Sequence, residues 1–135
     1  MAGRKGRWVR VKEMNKEEKE GIAETCTGFI EEILKPRFLP EIRPTPFNYP
    51  VDILGRWRGS RYSFITRYRS GCPDNPGEEF DHAFARLDHF EERIDKTRFD
   101  LMWHRHIGRW HLFRPDLPLD EALRLIAEEP LLHPV

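Results

Sequence analysis

The sequence predicts an α+β domain: an N-terminal amphipathic helix, an antiparallel β-meander of about five strands, and a short C-terminal helix. Three observations predict it. Apolar residues recur at helical spacing from Ile22 to Ile33, the period drops to two from Val51 onward, and it returns to helical after Pro118. Helices at the two ends of a run of strands pack on one face of the sheet those strands form. A chain of 135 residues is long enough to close a core by itself.

Residues 1–14 carry Arg4, Lys5, Arg7, Arg10 and Lys12, with Glu13 as the first acid, and read as a flexible basic arm. Trp8 stands alone in it, and Val9 and Val11 alternate with charges as in a short edge strand. The domain proper is expected over 15–135. Asn15 suits a helix N-cap, and Glu18 three residues on gives the reciprocal spacing of a capping box. Glu17, Glu18 and Glu20 complement the positive end of the helix dipole. Ile22, Cys26, Phe29, Ile30 and Ile33 form the apolar stripe, and Pro36 is expected to end the helix.

Pro36, Pro40, Pro44, Pro46 and Pro50 then predict an irregular connector. Val51, Ile53 and Trp57 fall on one face of a first strand, with Asp52, Arg56 and Arg58 on the other. After a turn at Gly59, Tyr62, Phe64 and Tyr68 alternate with Arg61, Arg67 and Arg69 along a second strand. Gly71 to Gly77 is a loop by composition. Further strands are expected over Phe80–His89, Arg98–His104 and Trp110–Arg114. Pro115 to Pro118 opens the last helix, whose stripe is Leu119, Ala122, Leu123 and Ile126, and Pro130 stops it. Trp103 and Trp110, flanked by Phe99, Leu101 and Leu112, are expected in the core.

The segments Ala85-Arg86-Leu87, Phe99-Asp100-Leu101-Met102-Trp103 and Gly108-Arg109-Trp110-His111 with Phe113, followed by Pro118-Leu119, carry a resemblance. Over roughly 29–132, and mainly 83–132, the chain resembles the bacterial family catalogued as domain of unknown function 3024. The resemblance implies a small helix–sheet–helix protein and brings no activity with it. His104 and His106, and the loop over 70–78, depart from the family pattern.

Composition excludes several classes. Lys plus Arg equals Asp plus Glu at 23 each, so the chain is neither polyanionic nor polycationic, though charge is locally segregated. No apolar run approaches the roughly 20 residues that span a bilayer. The basic N-terminus leads into no apolar signal core. Cys26 and Cys72 make neither a disulfide framework nor a CxxC pair. A reducing, cytoplasmic setting with no membrane partner is expected.

The functional signal with most residues behind it is the arginine set Arg56, Arg58, Arg61, Arg67 and Arg69, with no acid between Asp52 and Asp74. Guanidinium is permanently charged and forks onto phosphate oxygens, so this face with the basic arm suits nucleic acid, or else an acidic protein. The plainer reading is a solvated face whose arginines pair with helix glutamates, Asp74, Glu78 or Glu79. A second constellation is His104, His106 and His111, which would suit a small metal-dependent hydrolase or nuclease if the three faced one ion. A two-residue Ile107-Gly108 turn would put all three on one face. A three-residue connection shifts the register and sends His111 to the face opposite His104, and the cost of positive φ at Ile107 favours it. Cys72 with His82 or His89 carries no nucleophile signature, and Glu78, Glu79 and Asp81 carry none for acid–base work. No P-loop, GxGxxG or HExxH is present, and no cofactor is implied. The expected class is therefore a non-enzymatic binding protein, with a structural subunit or homodimer joined at a sheet edge as the remaining reading.

Overall fold

In a computed structural model, which describes residues 14–89, 98–104 and 108–134, the chain is a helix, a five-stranded antiparallel sheet and a closing helix. Helix α1 spans Lys16–Phe29. It begins at the capping box read from the sequence: the Asn15 side chain accepts from the Glu18 N–H at 2.8 Å, and the Glu18 carboxylate accepts from the Asn15 N–H at 2.9 Å. Such a cap contributes about 1 kcal/mol. Met14, just before it, is buried at 8% exposure and joins the core. The rest of the basic arm, with Trp8, Val9 and Val11, lies outside the described residues.

Pro36 does not end the helix. The chain passes from α1 through a π-helical turn, Ile30–Leu34, into a last α-turn, α2, Lys35–Phe38. The Lys35 N–H donates to the Ile30 carbonyl five residues back, and Pro36, which has no N–H, stands in the first turn of α2. Widening the helix here also changes its buried stripe. The core side is Ile22, Cys26, Ile30 and Leu34, each four residues apart, whereas Ile33 is 45% exposed. In a regular α-helix a strict four-residue spacing drifts about 40° per step, and the wider turn brings Leu34 back to the core.

The strands are β1 (Asn48–Arg58), β2 (Arg61–Ser70), β3 (Glu79–His89), β4 (Arg98–His104) and β5 (Trp110–Pro118), in that order across one sheet. β1 starts three residues before Val51 and includes Pro50. A missing N–H is tolerated there because β1 is an edge strand and the register with β2 shifts between Pro50 and Asp52. β5 runs past Arg114 to Pro118, so Pro115–Pro118 is strand and not helix start. Helix α3, Leu119–Glu128, begins after it and buries Ala122, Leu123, Leu125 and Ile126.

The α1–π–α2 helix and α3 lie on the same face of the sheet, and one apolar cluster joins them to the strands. It contains Cys26, Ile30 and Leu34 from the first helix, Ile53, Tyr62, Phe64, Leu87, Phe99 and Leu101 from the sheet, and Ile126 from α3. Trp57 ties the hairpin to α1: its indole N–H donates to the Lys19 carbonyl at 2.9 Å, while the Lys19 ammonium donates to the Gly59 carbonyl at 2.8 Å. Trp103 is half-buried against the core. Trp110 and Leu112 are not in it. Both pair with outward-facing positions of β4, and Leu112 is 52% exposed.

Candidate functional site

The outer sheet face, opposite the helices, is built by strand alternation. Arg61, Arg67 and Arg69 occupy alternate positions of β2. The hairpin register sets Arg58 opposite Arg61, Arg56 opposite Ser63 and Asp52 opposite Arg67. The arginines named from the sequence thus share a face, and β3 supplies carboxylates to it. The plainer reading had placed their partners in the first helix or the following loop. Among the described residues, the acid of that set that pairs with these arginines is Glu79.

Asp81 receives two arginines: Arg67 donates to it at 2.8 and 3.2 Å, and Arg56 at 3.0 Å. The hydrogen bond from Arg67 above all, opposed by burial and reinforced by the hydrogen bond from Arg56, holds the Asp81 carboxyl below the usual aspartate range. Arg69 donates to Glu79 at 2.8 and 2.9 Å. Arg86 on β3 grips the buried Asp88 with two bonds of 2.7 and 2.9 Å. Arg61 reaches the same Asp88 only at 3.8 Å and stays 59% exposed. Arg58 makes no ion pair with a described residue.

On β1, β2 and β3, therefore, Arg56, Arg61, Arg67, Arg69 and Arg86 share the three carboxylates Asp81, Glu79 and Asp88, and Arg58 has none of them. The nearby Asp52 is engaged by Lys35 at 3.0 Å. The surplus positive charge gathers at the hairpin end, around a cleft of ≈ 360 Å³. Arg56, Arg58 and Arg61 form its wall, Ser63, Ile65 and Ala83 line it beside them, and Asp81 is its one carboxylate. The Arg86 guanidinium lies 4.4 Å from the centre of the Trp110 ring, and the two close the remaining side. An anion entering here would meet Arg58 and Arg61 without first displacing a strong ion pair.

Sequence reasoning missed Arg86, Asp81 and Trp110. Arg86 and Asp81 stand five residues apart, at an even and an odd position of a strand that bulges between them. The register of β2 with β3 shifts between Phe64 and Ile65, leaving Phe84 as the extra residue. Simple alternation therefore puts Arg86 and Asp81 on opposite faces. The bulge restores them to one.

The histidines do not converge. Trp103 pairs with His111 and His104 with Trp110, the register of the three-residue connection, so His104 and His111 project to opposite faces. Gly108 takes φ +83°, the left-handed position that such a connection requires. His106 lies outside the described residues. The His104 ring sits instead 5.1 Å from the His82 ring and 4.8 Å from Trp110. Among the described residues no group of three or more His, Cys, Asp or Glu side chains is placed to hold a metal ion.

Cys72 donates its backbone N–H to the Ser70 hydroxyl at 3.1 Å, His82 faces His104, and His89 packs on Phe99. Of the acids considered for proton transfer, Glu78 accepts from Asn75, and Glu79 and Asp81 hold arginines. No helix among the described residues is long and apolar enough to cross a membrane.

A family model described as Domain of unknown function (DUF3024) matches residues 14–133. No curated protein matches the chain, and no solved structure does.

Proposed function

The chain belongs to the DUF3024 family, whose function is unknown, and from the arginine cleft we propose that it is a nucleic-acid-binding protein that grips the phosphate backbone without reading bases. The observation that carries this reading is the unbalanced charge at the hairpin end: Arg58 has no ion pair with a described residue, and Arg61 only a long one. Arg58 and Arg61 on the two-stranded platform suit successive phosphates, because each offers a planar fork that needs no strong ion pair broken to bond two oxygens, and Arg56 beside them adds a third contact by giving up its bond to Asp81. Trp110 already holds the Arg86 guanidinium at 4.4 Å from its ring centre and the His104 ring at 4.8 Å, so we read it as a support of the cleft and not as a stacking surface for bases. Sequence-tolerant binding follows from that arrangement.

The test is direct titration with random-sequence duplex and single-stranded oligonucleotides at low salt. Binding through Arg56, Arg58 and Arg61 should give a log–log salt slope of about −3 on duplex, at roughly −0.9 per phosphate contact. Arg58→Gln should weaken binding on all sequences alike and reduce that slope by about one. Arg58→Glu with Arg61→Glu should abolish binding. If neither oligonucleotide binds the wild-type protein, nucleic acid is excluded and an acidic protein surface becomes the remaining partner for this face.

A further inference from the structure

The arginine cleft has a floor and a rim, and the strand register explains both. Ser63 on β2 lies between Arg56 on β1 and Arg86 on β3, and Ile65 lies beside Ala83. These three short side chains are the floor. Longer ones surround them on the same face: Arg56 and Arg58 along β1, Arg61 toward the turn, Asp81 at the other end, and Arg86 with Trp110 on the side of β5. Ile65 is only 5% exposed although it faces away from the helices. The cleft is thus a socket walled on its sides, and not a groove that runs across the sheet.

Shape and charge then select the same ligand. A continuous strand must enter a site and leave it, and a walled socket gives it no way through. A strand end has only to enter. The ≈ 360 Å³ of the socket stands at the small end of small-molecule sites, about 300–1,000 Å³, with room for a phosphate and the sugar that carries it. Four guanidiniums border it, against Asp81 on the rim and the buried Asp88 that Arg86 grips. The surplus of two positive charges corresponds to Arg58 and Arg61, which no strong ion pair engages. A phosphate monoester carries about −1.5 to −2 near neutral pH, whereas each backbone diester carries one negative charge.

We infer that this cleft is a socket for the phosphorylated end of a nucleic-acid strand, an assignment that rests on the nucleic-acid reading above. A terminal phosphate monoester binds there more tightly than the diesters of the backbone. Arg58 and Arg61 bring forks for its additional oxygen and charge. Arg86, fixed by its two bonds to Asp88, is a standing wall beside them.

The experiment measures binding of one random-sequence single strand at low salt, made with a 5′-phosphate, with a 3′-phosphate, or with hydroxyls at both ends. A phosphorylated form should bind about tenfold tighter than the hydroxyl form, the worth of one charge-assisted hydrogen bond. Ser63→Leu and Ala83→Leu each raise the floor without removing an arginine. Each should bring that ratio close to one, with circular dichroism confirming that the variant is folded. A free nucleoside 5′-monophosphate, used as a competitor, distinguishes the two sources of a monoester. It should displace the labelled phosphorylated strand less well than the same strand unlabelled does at equal concentration. Equal or better displacement would assign the socket to a free nucleotide and overturn the strand end. Equal affinity of phosphorylated and hydroxyl forms, or a ratio that both leucine variants preserve, would overturn the socket and leave backbone binding standing. If none of the strands binds, the nucleic-acid reading itself fails and this assignment with it.

Discussion

Ile33 and Leu34 are neighbours in the chain and differ in chemistry by the placement of one methyl group, yet Leu34 is fully buried and Ile33 is 45% exposed. Leu34→Ala should therefore cost about 2–5 kcal/mol, as large-to-small changes in a core do. Ile33→Ala should fall within about 0.5 kcal/mol of wild type. Denaturant unfolding of the two variants measures the contrast, and equal losses would show that the π turn misplaces the stripe. The two cysteines differ in the same way. Burial pushes the Cys26 thiol up to about 12, whereas Cys72 sits half-exposed in a loop. Since the thiolate is the reactive form, alkylation of the folded protein near neutral pH should label Cys72 alone, and Cys26 should react only after unfolding; a peptide map reads both. His82 adds a pH dependence. Burial first, and the neighbouring His104 second, hold it below the usual histidine range. The unfolded chain then binds a proton that the folded chain refuses, so this contribution is fully present above about pH 6.5, and it is lost as pH falls from there through the lower folded value. His82→Gln should flatten that part of the stability profile, and an unchanged slope would mean that the ring is already free to titrate.

At the scale of elements, the sequence was most informative where one local rule governed. The capping box, the change of period at Val51 and the stripe of α3 each follow from a few neighbouring residues, and each is found in the structure. Two of the departures came from proline. Pro36 and Pro50 were read as breakers, but one stands after a π turn and the other on an edge strand at a register shift, two settings that accept a residue without an N–H. Neither setting is visible without the neighbouring strand or the helix's own widening. Packing within the β1–β2 hairpin yields a further expectation. Tyr62 folds its ring across Gly55 on the adjacent strand, and a Cβ at Gly55 would collide with the phenol. That ring also makes edge contacts with Trp57 and Phe64, at 5.3 Å in each case. Gly55→Ala should thus push Tyr62 into a filled core and cost about 1–3 kcal/mol, far more than a glycine-to-alanine change on an open strand. Thermal unfolding checks it, and an unchanged melting temperature would mean that Tyr62 has another place to go.

For the molecule as a whole, the arginine face was legible as a set of residues and illegible as a charge distribution. Counting acids along the chain found none between Asp52 and Asp74, but the acids that matter arrive from β3, in a register fixed by the extra residue Phe84. The face is therefore less positive than the sequence suggests, and Asp81 is the residue that makes it so. Its carboxylate is held in the charged form by Arg67 and Arg56, so near neutral pH it cancels part of the field at the cleft mouth. Asp81→Asn keeps the shape, removes that charge and releases both guanidiniums toward solvent. Exposed pairs of this kind contribute only about 0–1 kcal/mol to folding, so the variant should remain folded. If phosphate binding occurs here, its affinity for duplex should rise, and its log–log salt slope should steepen by about one as the freed Arg67 reaches a phosphate. A purely structural role for the Asp81 cluster predicts the reverse: a small loss of stability and no change in binding. Measuring both quantities on the one variant separates the readings, since a gain of affinity cannot come from a weakened scaffold. An Asp81→Asn protein that binds duplex no better than wild type would count against the cleft as the point of contact, whatever the wild-type affinity proves to be.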